Sequence, residues 1–428
     1  MAFPWQDLQV DIKLEILSRL PPKSLLRFKC VSKSWLSLFS DPSFIHKHLL
    51  HRNSVACGDD NETLLIHGNA PGHYNFSLVK LKNPSNPITF NLNHPFPEIN
   101  DLWDMHIVGS IDGLVCLTSG QQTDGSMLIL WNPATQQYTN IPTPKIEFPK
   151  PGGRFTIGFC FDSLRYDYKM VRLVWSLSCQ FRPPPRAEVY SITADCWREI
   201  EVEIPFDFVY FRCDTIVRGE PYWAAQFYSS EKSSSFYNVV WFDACEEVFR
   251  QSPPLALGLP HTLVNGFLNF RNSASGLGHT LLNGVANFRN SVAVLVTEMF
   301  PPEIEHEWKT SLWVLEEESS SWSMKFRAGF PCSNELVGCS KNGEIVFHTK
   351  DMHVLQLYSP KTEETSNIQI DLESKVGIKY HFRLASGYTA SIVPIKKSKQ
   401  VEKIYWWQQS PYFNTAKATT SADLSLIR

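Results

Sequence analysis

The sequence predicts a small α-helical domain followed by a large all-β domain. Within the first fifty or so residues, apolar side chains recur at helical spacing. From residue 106 to residue 394 the chain instead alternates short apolar runs with turn residues, a pattern typical of strands. Aromatic residues make up 13% of the 428 residues, and 28 prolines interrupt the chain. That composition favours many short strands joined by turns.

Three short helices are predicted in the N-terminal domain, residues 1–50. Asp11 can cap the first helix, and Pro21 with Pro22 ends it because proline lacks a backbone N–H. Ser24 begins the second helix, and Ser32 can cap a third. Three helices in about forty residues bury too little surface to be secure alone. Their leucine-rich face therefore needs either a partner protein or the domain behind it, as in a helical cap.

Composition narrows the classes of partner. The chain has 40 Lys+Arg against 43 Asp+Glu, which argues against binding nucleic acid through bulk positive charge. The N-terminus is polar within about ten residues, unlike a secretory signal, and no apolar run approaches the length of a membrane span. Ten scattered cysteines form no Cys-x-x-Cys pair, as expected for buried thiols in a reducing compartment. We expect a cytoplasmic or nuclear protein that binds neither membrane nor nucleic acid.

A weak motif recurs in the β-rich region: an apolar strand end, a turn, and an aromatic residue that begins the next strand. Its five anchors, at spacings of 58, 52, 72 and 44, are Asn132, Tyr190, Phe242, Val314 and Tyr358. A repeat of about fifty residues with four strands is typical of a kelch-like β-propeller blade. We therefore predict a β-propeller-like domain at 106–396, after a linker with first strands at 51–105 and before a C-terminal tail at 397–428.

The spacing of 72 residues contains a local duplication, within 261–296. His261–Ser273 returns as His279–Ser291 at an offset of 18 residues, and subtracting that offset leaves 54, in line with the other spacings. The duplication either bulges out as a loop or adds a hairpin. The glycine-rich joint Ser275–Gly278 favours a loop, whereas the apolar run Val292–Val296 favours packing of the second copy in the sheet.

A continuous motif runs from Leu8 to Trp35 and contains the order EILSRLP-x-KSLLRFKCVSKSW. It resembles an F-box. In one departure, Gln9 stands where that family usually has a proline. The resemblance implies docking onto a Skp-type adaptor and through it onto a cullin. The residues that it assigns to adaptor binding are Ile12, Ile16, Leu17, Leu20, Pro21, Leu25, Leu26, Val31 and Trp35.

An ordered series of short stretches covers residues 106–394. They are Val108–Leu117, Trp131–Thr135, Gly158–Asp162, Asp167–Arg172, Glu188–Ser191, Trp197–Arg198, Tyr222–Trp223, Phe242–Asp243, Glu246–Phe249, Leu312–Val314 and Gly387–Ser391. Together they resemble the F-box-associated domain of plant F-box proteins, with some details similar to the S-locus F-box proteins of pollen. One departure is Ser110–Gly113, which reads Ser-Ile-Asp-Gly where the family more often has Ser-Cys-Asn-Gly.

Most of these motif residues have a structural interpretation. Asn132 and Asp243 fit tight turns whose side chains bond their own backbone, and Trp197, Phe249 and Trp322 fit core or inter-blade packing. Target contacts are expected from variable loops on one face, at aromatic and arginine side chains; packing against the propeller edge is the alternative. The candidate target-binding residues are Phe181, Arg182, Arg186, Phe208, Tyr210, Phe227 and Tyr228.

Three functional interpretations stay open. The first is the substrate-recognition subunit of an SCF-type (cullin–RING) ubiquitin ligase, without catalytic residues of its own. The second is a propeller-type enzyme or sugar-binding protein with a helical cap, although phosphate-loop, dinucleotide and Gly-x-Ser-x-Gly motifs are missing from the sequence. The third is a non-degradative F-box scaffold. His46, His48 and His51 could bind a metal in principle, but we expect them to face solvent, and we expect neither a metal nor a cofactor.

Overall fold

The computed structural model describes nineteen stretches of the chain, and every structural statement below concerns them. They are residues 8–56, 62–70, 73–81, 87–92, 105–119, 127–147, 153–176, 184–202, 207–208, 215–228, 235–255, 262–264, 279–299, 307–316, 318–331, 335–349, 354–370, 381–395 and 399–400.

Four helices form the N-terminal domain, which we call the head (residues 10–56). Their bounds are α1 (Val10–Ser18), α2 (Pro22–Lys29), α3 (Lys33–Leu38) and α4 (Pro42–Ala56). The predicted cap of α3 is present, since Ser32 Oγ accepts the N–H of Trp35 at 3.2 Å. None of the helices in the described stretches combines the length and hydropathy needed to cross a bilayer.

The prediction of three helices missed α4. The Oδ1 of Asp41 accepts the N–H groups of Ser43 and Phe44 at 2.8 and 3.3 Å and so caps this helix. Pro42 is the first residue of that helix, where its missing N–H costs nothing. The same rule places the start of α2 at Pro22 rather than at Ser24.

The predicted β-propeller-like architecture is confirmed, and it has six blades. Blade 1 contains β1 (Thr63–Ala70), β2 (His73–Lys80), β3 (Ile88–Leu92) and β26 (His381–Ala385); blade 2 contains β4 (Met105–Ile111), β5 (Leu114–Ser119), β6 (Leu128–Asn132), β7 (Gln137–Ile141) and β27 (Lys399–Gln400). Blade 3 contains β8 (Gly153–Asp162), β9 (Asp167–Ser176), β10 (Arg186–Ser191) and β11 (Cys196–Ile200); blade 4 contains β12 (Asp207–Phe208), β13 (Thr215–Val217), β14 (Glu220–Tyr228), β15 (Ser235–Asp243) and β16 (Val248–Gln251). Blade 5 contains β17 (Thr262–Val264), β18 (His279–Phe288), β19 (Ser291–Met299), β20 (Glu307–Glu316) and β21 (Ser321–Pro331); blade 6 contains β22 (Glu335–Cys339), β23 (Ile345–His348), β24 (Leu355–Ser359) and β25 (Glu364–Ile368).

The innermost strands form a ring. Strand β4 contacts β8 and β26, β18 contacts β13 and β22, and β22 contacts β26. The ring closes because β26 follows blade 6 in the chain but pairs with β1 in blade 1. The first blade therefore uses strands from within 51–105, the segment that the sequence analysis described as a linker with first strands. In the segment predicted as a tail, Lys399–Gln400 pairs with β7, and residues 401–428 lie outside the described stretches.

The five sequence repeats are the third strands and following turns of blades 2 to 6. In blade 2, Asn132 Oδ1 accepts the N–H groups of Ala134 and Thr135 at 3.0 and 3.2 Å. In blade 4, Asp243 Oδ1 accepts two N–H groups of its turn in the same way, both at 3.0 Å. These bonds are the turn chemistry predicted from the motif.

Two tryptophans join neighbouring blades. The indole N–H of Trp197, on β11, donates to the carbonyl of Pro142 at 2.7 Å, just after the last strand of blade 2. The indole N–H of Trp322, on β21, donates to the carbonyl of Pro253 at 3.3 Å, just after the last strand of blade 4. Both side chains therefore have the inter-blade role expected from the sequence.

The second copy of the duplication forms β18, and the first copy contributes β17. The two strands are parallel, and equivalent residues lie side by side: Thr262 with Thr280, Leu263 with Leu281, and Val264 with Leu282. The rest of the first copy lies outside the described residues. In the second copy, the side chains of Val285 and Ala286 are only 6% and 5% exposed.

The side-chain differences between the copies explain which copy packs in the blade. The first copy has Phe267 and Leu268 where the second has Val285 and Ala286. In the packed strand these larger side chains would enter space that is already filled, which costs about 1–3 kcal/mol.

Two matched deletions test this explanation. Deleting residues 261–278 or residues 274–291 leaves one copy in the same chain context, and the products differ only at positions equivalent to 282, 285 and 286. We expect the variant that keeps the first copy to unfold at lower urea concentration, by about 1–3 kcal/mol in free energy of unfolding. Equal midpoints would show that these side chains do not select the packed copy.

A buried carboxylate lies at the ring closure. Glu62 precedes β1, and its Oε1 and Oε2 accept the N–H of Lys341, at 2.9 and 2.8 Å, in the first turn of blade 6. Its Oε1 also accepts the N–H of Gly387, after β26, at 3.1 Å. Burial raises the pKa of Glu62 from 4.5 to about 7, and the charge of Glu344 adds to the rise.

Replacing Glu62 by glutamine should flatten the pH dependence of stability. With a folded pKa of about 7 and an ordinary value of 4.5, the folded protein holds more protons than the unfolded chain between these values. The contribution of Glu62 to the free energy of unfolding is therefore largest below pH 4.5 and is lost as the pH rises to 7. Urea midpoints at pH 5, 6, 7 and 8 for wild type and Glu62→Gln check this. Parallel curves over that range would contradict the assignment.

Candidate functional site

The two ends of the propeller differ in the length of their connections. Because neighbouring strands are antiparallel, successive connections alternate between the ends. In blades 2 to 6, the turns between first and second strands and between third and fourth strands contain two to five residues. The connections between second and third strands, at the opposite end, contain six to nine residues. We call these ends the short-turn end and the loop end.

The head packs on the short-turn end. Its buried side chains Leu17, Leu25 and Phe39 belong to the same continuous apolar cluster as Val108 and Leu114 of blade 2. Head and propeller therefore share a core, and their separation would expose apolar surface on both sides.

A polar contact accompanies this shared core. Asp112, in the turn between β4 and β5, accepts the Asn53 side-chain N–H of α4 at 3.3 Å through Oδ1 and the Tyr168 hydroxyl at 3.0 Å through Oδ2. Burial and the neighbouring carboxylate raise the pKa of Tyr168. Nearby, His46 of α4 lies edge-on to Tyr166, with ring centroids 5.6 Å apart. An aspartate at 112, where the resembled family more often has asparagine, offers two acceptor oxygens to two donors.

Inside the head, Glu15 connects α1 to α4. Its carboxylate contacts Lys47 at 2.8 Å, Arg19 at 2.7 Å and His51 at 3.3 Å. The hydrogen bonds from Lys47 and Arg19 lower the pKa of Glu15 to about 2. These contacts turn one side of α1 toward α4.

The expectation that all three histidines face solvent is wrong for His48. Its side chain is buried, and its Nε2 lies 3.1 Å from the carbonyl oxygen of Leu20. Burial lowers the pKa of His48 from 6.5 to about 4, so the imidazole is neutral at physiological pH. Within the described stretches, His, Cys, Asp and Glu side chains form no group of three or more that could hold a metal ion.

Exposed apolar side chains concentrate on the head. Of the eleven large apolar side chains that are exposed in the described residues, six lie within residues 10–50. Three of the six belong to the predicted adaptor-binding set: Ile12 is 45% exposed, Ile16 is 42% exposed and Val31 is 66% exposed. Pro21, another member of that set, is also exposed. Ile12 and Ile16 are four residues apart and so share one side of α1. This is an apolar surface that the described part of the chain does not cover.

The remaining predicted adaptor-binding residues are less accessible. Leu17 and Leu25 are buried in the core of the head and cannot contact a partner directly, while Leu20, Leu26 and Trp35 are half-buried against that core. The sequence could not separate these groups, because helical spacing marks an apolar side chain without saying what covers it.

Three exposed apolar residues of the head were missed. They are Val10, Leu36 and Leu50. Leu50 lies on the unpredicted helix α4, and Leu36 lies on α3. A search for apolar residues at i, i+4 spacing that began at Val10 rather than at Asp11 would have identified Val10.

Helix α2 carries positive charge. Burial lowers the pKa of Lys23, and the charge of Arg27 lowers it further; burial also lowers the pKa of Lys29. An acidic surface placed against α2 would relieve both effects by favouring the charged amines.

The described candidates for target contact lie at or near the loop end. Arg186 begins β10 there and forms two hydrogen bonds of 2.7 Å with Glu199 of β11, so its guanidinium is engaged within its own blade. Phe208 lies on β12, and Phe227 and Tyr228 end β14; the structure describes the backbone of these three residues only. The candidates outside the described residues are Phe181, Arg182 and Tyr210.

Comparison with known protein families matches both parts of the chain. Residues 5–47 match the model of the F-box domain, and residues 72–395 match the model of the F-box associated beta propeller domain. An F-box/kelch-repeat protein of Arabidopsis thaliana is 28% identical over 58% of this chain, and the F-box protein CPR1 of the same plant is 33% identical over 47%. The matches span 60% and 48% of these relatives' own lengths, roughly half of each.

Solved structures match this chain only at low similarity. A TolB structure from Acinetobacter baumannii covers 81% of this chain and 73% of its own, with 11% identity and a TM-score of 0.35. An α-L-arabinofuranosidase from Fusarium graminearum covers 62% of this chain and 80% of its own, with 8% identity and a TM-score of 0.36. At these TM-scores the activities of those proteins say nothing about this chain.

Removing the hydroxyl of Tyr168 should destabilise the β4–β5 turn of the propeller, whose Asp112 contacts the head. Tyr168→Phe leaves Asp112 Oδ2 without this donor in a half-buried site, which costs about 1–3 kcal/mol of unfolding free energy. Asn53→Ala should cost less, since its 3.3 Å contact is longer and exposed. Urea denaturation gives both values.

Tyr166→Phe is the matched control, because the Tyr166 side chain is exposed two residues away. It should leave the midpoint unchanged. An effect of Tyr166→Phe as large as that of Tyr168→Phe would refute a specific role for the hydroxyl bond to Asp112.

Proposed function

Because this chain belongs to the plant F-box proteins that carry an F-box-associated β-propeller, we propose that it is the substrate-recognition subunit of an SCF-type ubiquitin ligase. The observation that carries the proposal is the uncovered apolar surface of the head around Ile12, Ile16 and Val31. A stable partner that covers it would bury on the order of 1,200–2,000 Å² in total. The partner is a Skp-type adaptor, which connects the chain to a cullin.

The geometry of α1 supports this docking face. Glu15 turns toward Lys47 and His51 of α4, whereas Ile12 and Ile16 are exposed. Leu17 anchors the helix in the core beneath. The buried member of the predicted set thus positions the helix, and the exposed members make the contact.

Charge on α2 indicates the chemistry of the adaptor surface. The cluster of Lys23, Arg27 and Lys29 is self-repelling, and burial already disfavours the charge of both lysines. An acidic adaptor surface would be attracted to it, and complementary charge raises the association rate more than the affinity.

The target binds at the loop end. This end lies opposite the head, and its longer connections give room for a recognition surface that can vary without disturbing the ring. The aromatic candidates Phe208, Phe227 and Tyr228 lie on strands that reach it.

The chain contributes proximity rather than chemistry. Because head and propeller share a core, a target bound at the loop end is held in a fixed position relative to the adaptor bound to the head. Orientation of this kind can replace chemical catalysis by the chain itself, since it makes transfer effectively unimolecular.

Placing a charge on the docking face should abolish adaptor binding. Ile16→Asp puts a carboxylate where the adaptor would cover apolar surface, and we expect at least about a tenfold loss of affinity, since leaving a charge unpaired in an interface costs over 1.4 kcal/mol. Ile16 is 42% exposed, so the fold should be retained. Pull-down or calorimetry with a Skp-type adaptor measures the loss.

Leu164→Asp serves as the control. Leu164 is the most exposed of these apolar side chains, at 75%, but lies on a propeller turn. It should keep wild-type affinity for the adaptor. If Ile16→Asp binds as tightly as Leu164→Asp, the proposed docking face is wrong.

A further inference from the structure

The first residues of β18 carry an additional strand on their inner edge. Strand β17 pairs there with Thr280–Leu282, while β19 pairs with the outer edge. In the other blades, within the described stretches, the innermost strands β4, β8, β22 and β26 end their sheets on that side. The inner edge of β18 is therefore able to accept a strand, and in this chain it holds one.

This edge lies at the loop end of the ring of innermost strands. Strand β18 ends at Phe288, and the Arg289–Asn290 turn that follows lies at the short-turn end. Its beginning, Thr280–Leu282, is therefore at the opposite end. In the neighbouring blade, β12 pairs with Ala225 and Gln226 near the loop end of β14. Two short strands, β12 and β17, thus lie on the inner side of the ring at the loop end, where we propose that the target binds.

At the opposite end of β18, the strand contacts its neighbours in the ring. The side chain of Asn287 donates to the carbonyl of Ile216 in β13 at 3.0 Å. Just beyond the strand, the N–H of Arg289 donates to the carbonyl of Lys341 at 2.7 Å. The strand-accepting residues Thr280–Leu282 lie away from these contacts.

The described contacts of strand β17 are main-chain pairs. It forms three residue pairs with β18, and they are parallel, the less stable arrangement per residue. The covalent connection between β17 and β18 gives β17 an effective concentration on the order of millimolar. A segment with one or two more pairs could displace it.

We propose that the inner edge of Thr280–Leu282 is a strand-acceptor site for an extended segment of the target protein, which β17 occupies in the free protein. The incoming segment pairs in parallel, in the direction that β17 has in this structure. It is uncharged and has a small polar residue followed by two aliphatic ones, as in Thr262, Leu263 and Val264. This inference rests on the proposed function, since it places target recognition at the loop end.

The test uses the full-length chain and a defined peptide. The probe is a fluorescein-labelled peptide with the sequence of residues 259–266, LPHTLVNG. Leu263→Pro in the protein prevents β17 from pairing without touching β18. Fluorescence anisotropy should show saturable binding to Leu263→Pro that is at least about tenfold tighter than to wild type, because the tethered strand no longer competes.

A deletion and a peptide control make the result decisive. Deletion of residues 261–278 removes β17 altogether and should bind the peptide as Leu263→Pro does. The peptide with proline at the position of Leu263 should bind neither variant. Equal affinities for wild type and both variants, or no saturable binding to either variant, overturn the proposal.

The outcome is separable from the proposed function. Adaptor binding by Leu263→Pro should equal that of wild type, because residue 263 lies in blade 5 and the docking face lies on the head. A failed peptide experiment with normal adaptor binding would remove the strand-acceptor site alone. A failed adaptor experiment would remove the proposed function whatever the peptide does.

Discussion

The pairing of β26 with β1 is the contact on which the rest of the structure depends. It joins the end of the domain to its beginning over five residue pairs, and without it the inner strands would form an open row. The ring also demands close approach between blades. A side chain at Gly158 of β8 would come within 2.7 Å of Pro221 and Trp223 of β14, so only glycine fits there. Ring closure sets the positions of the turns at the short-turn end, and the head packs on that end.

Two buried ionisable groups give the stability of the head and that of the ring closure opposite dependences on pH. For His48 in the head, the folded pKa of about 4 lies below the ordinary 6.5, so its contribution to stability is present above pH 6.5 and is lost as the pH falls through 4. For Glu62 at the ring closure, the raised pKa of about 7 gives a contribution that is lost as the pH rises. Acidification therefore lowers the stability of the head first. At neutral pH the contribution of Glu62 to the stability of the ring closure is lost, while that of His48 to the head is present.

The sequence predicted the elements that recur from blade to blade and missed the elements that occur only once in the chain. The anchors from Asn132 to Tyr358 marked the third strands of five blades, because each of these strands is followed by a short turn, which a side chain caps in blades 2 and 4. Blade 1 escaped because its innermost strand comes from the far end of the domain. On the head, spacing identified apolar residues, but it could not tell Ile16, which is exposed, from its neighbour Leu17, which is buried. That distinction depends on α4, whose start signals Asp41 and Pro42 were not recognised as such.

The glutamine that departs from the F-box pattern does not alter the backbone. Gln9 precedes α1 with φ −58° and ψ 149°, and Pro21 precedes α2 with φ −59° and ψ 146°. The two positions have nearly the same conformation, although only one is held there by a ring. Lacking the ring, Gln9 has more conformations to lose on folding, a difference of about 0.4–1 kcal/mol. The departure therefore acts on the unfolded chain, and the docking face around Ile12 keeps its geometry.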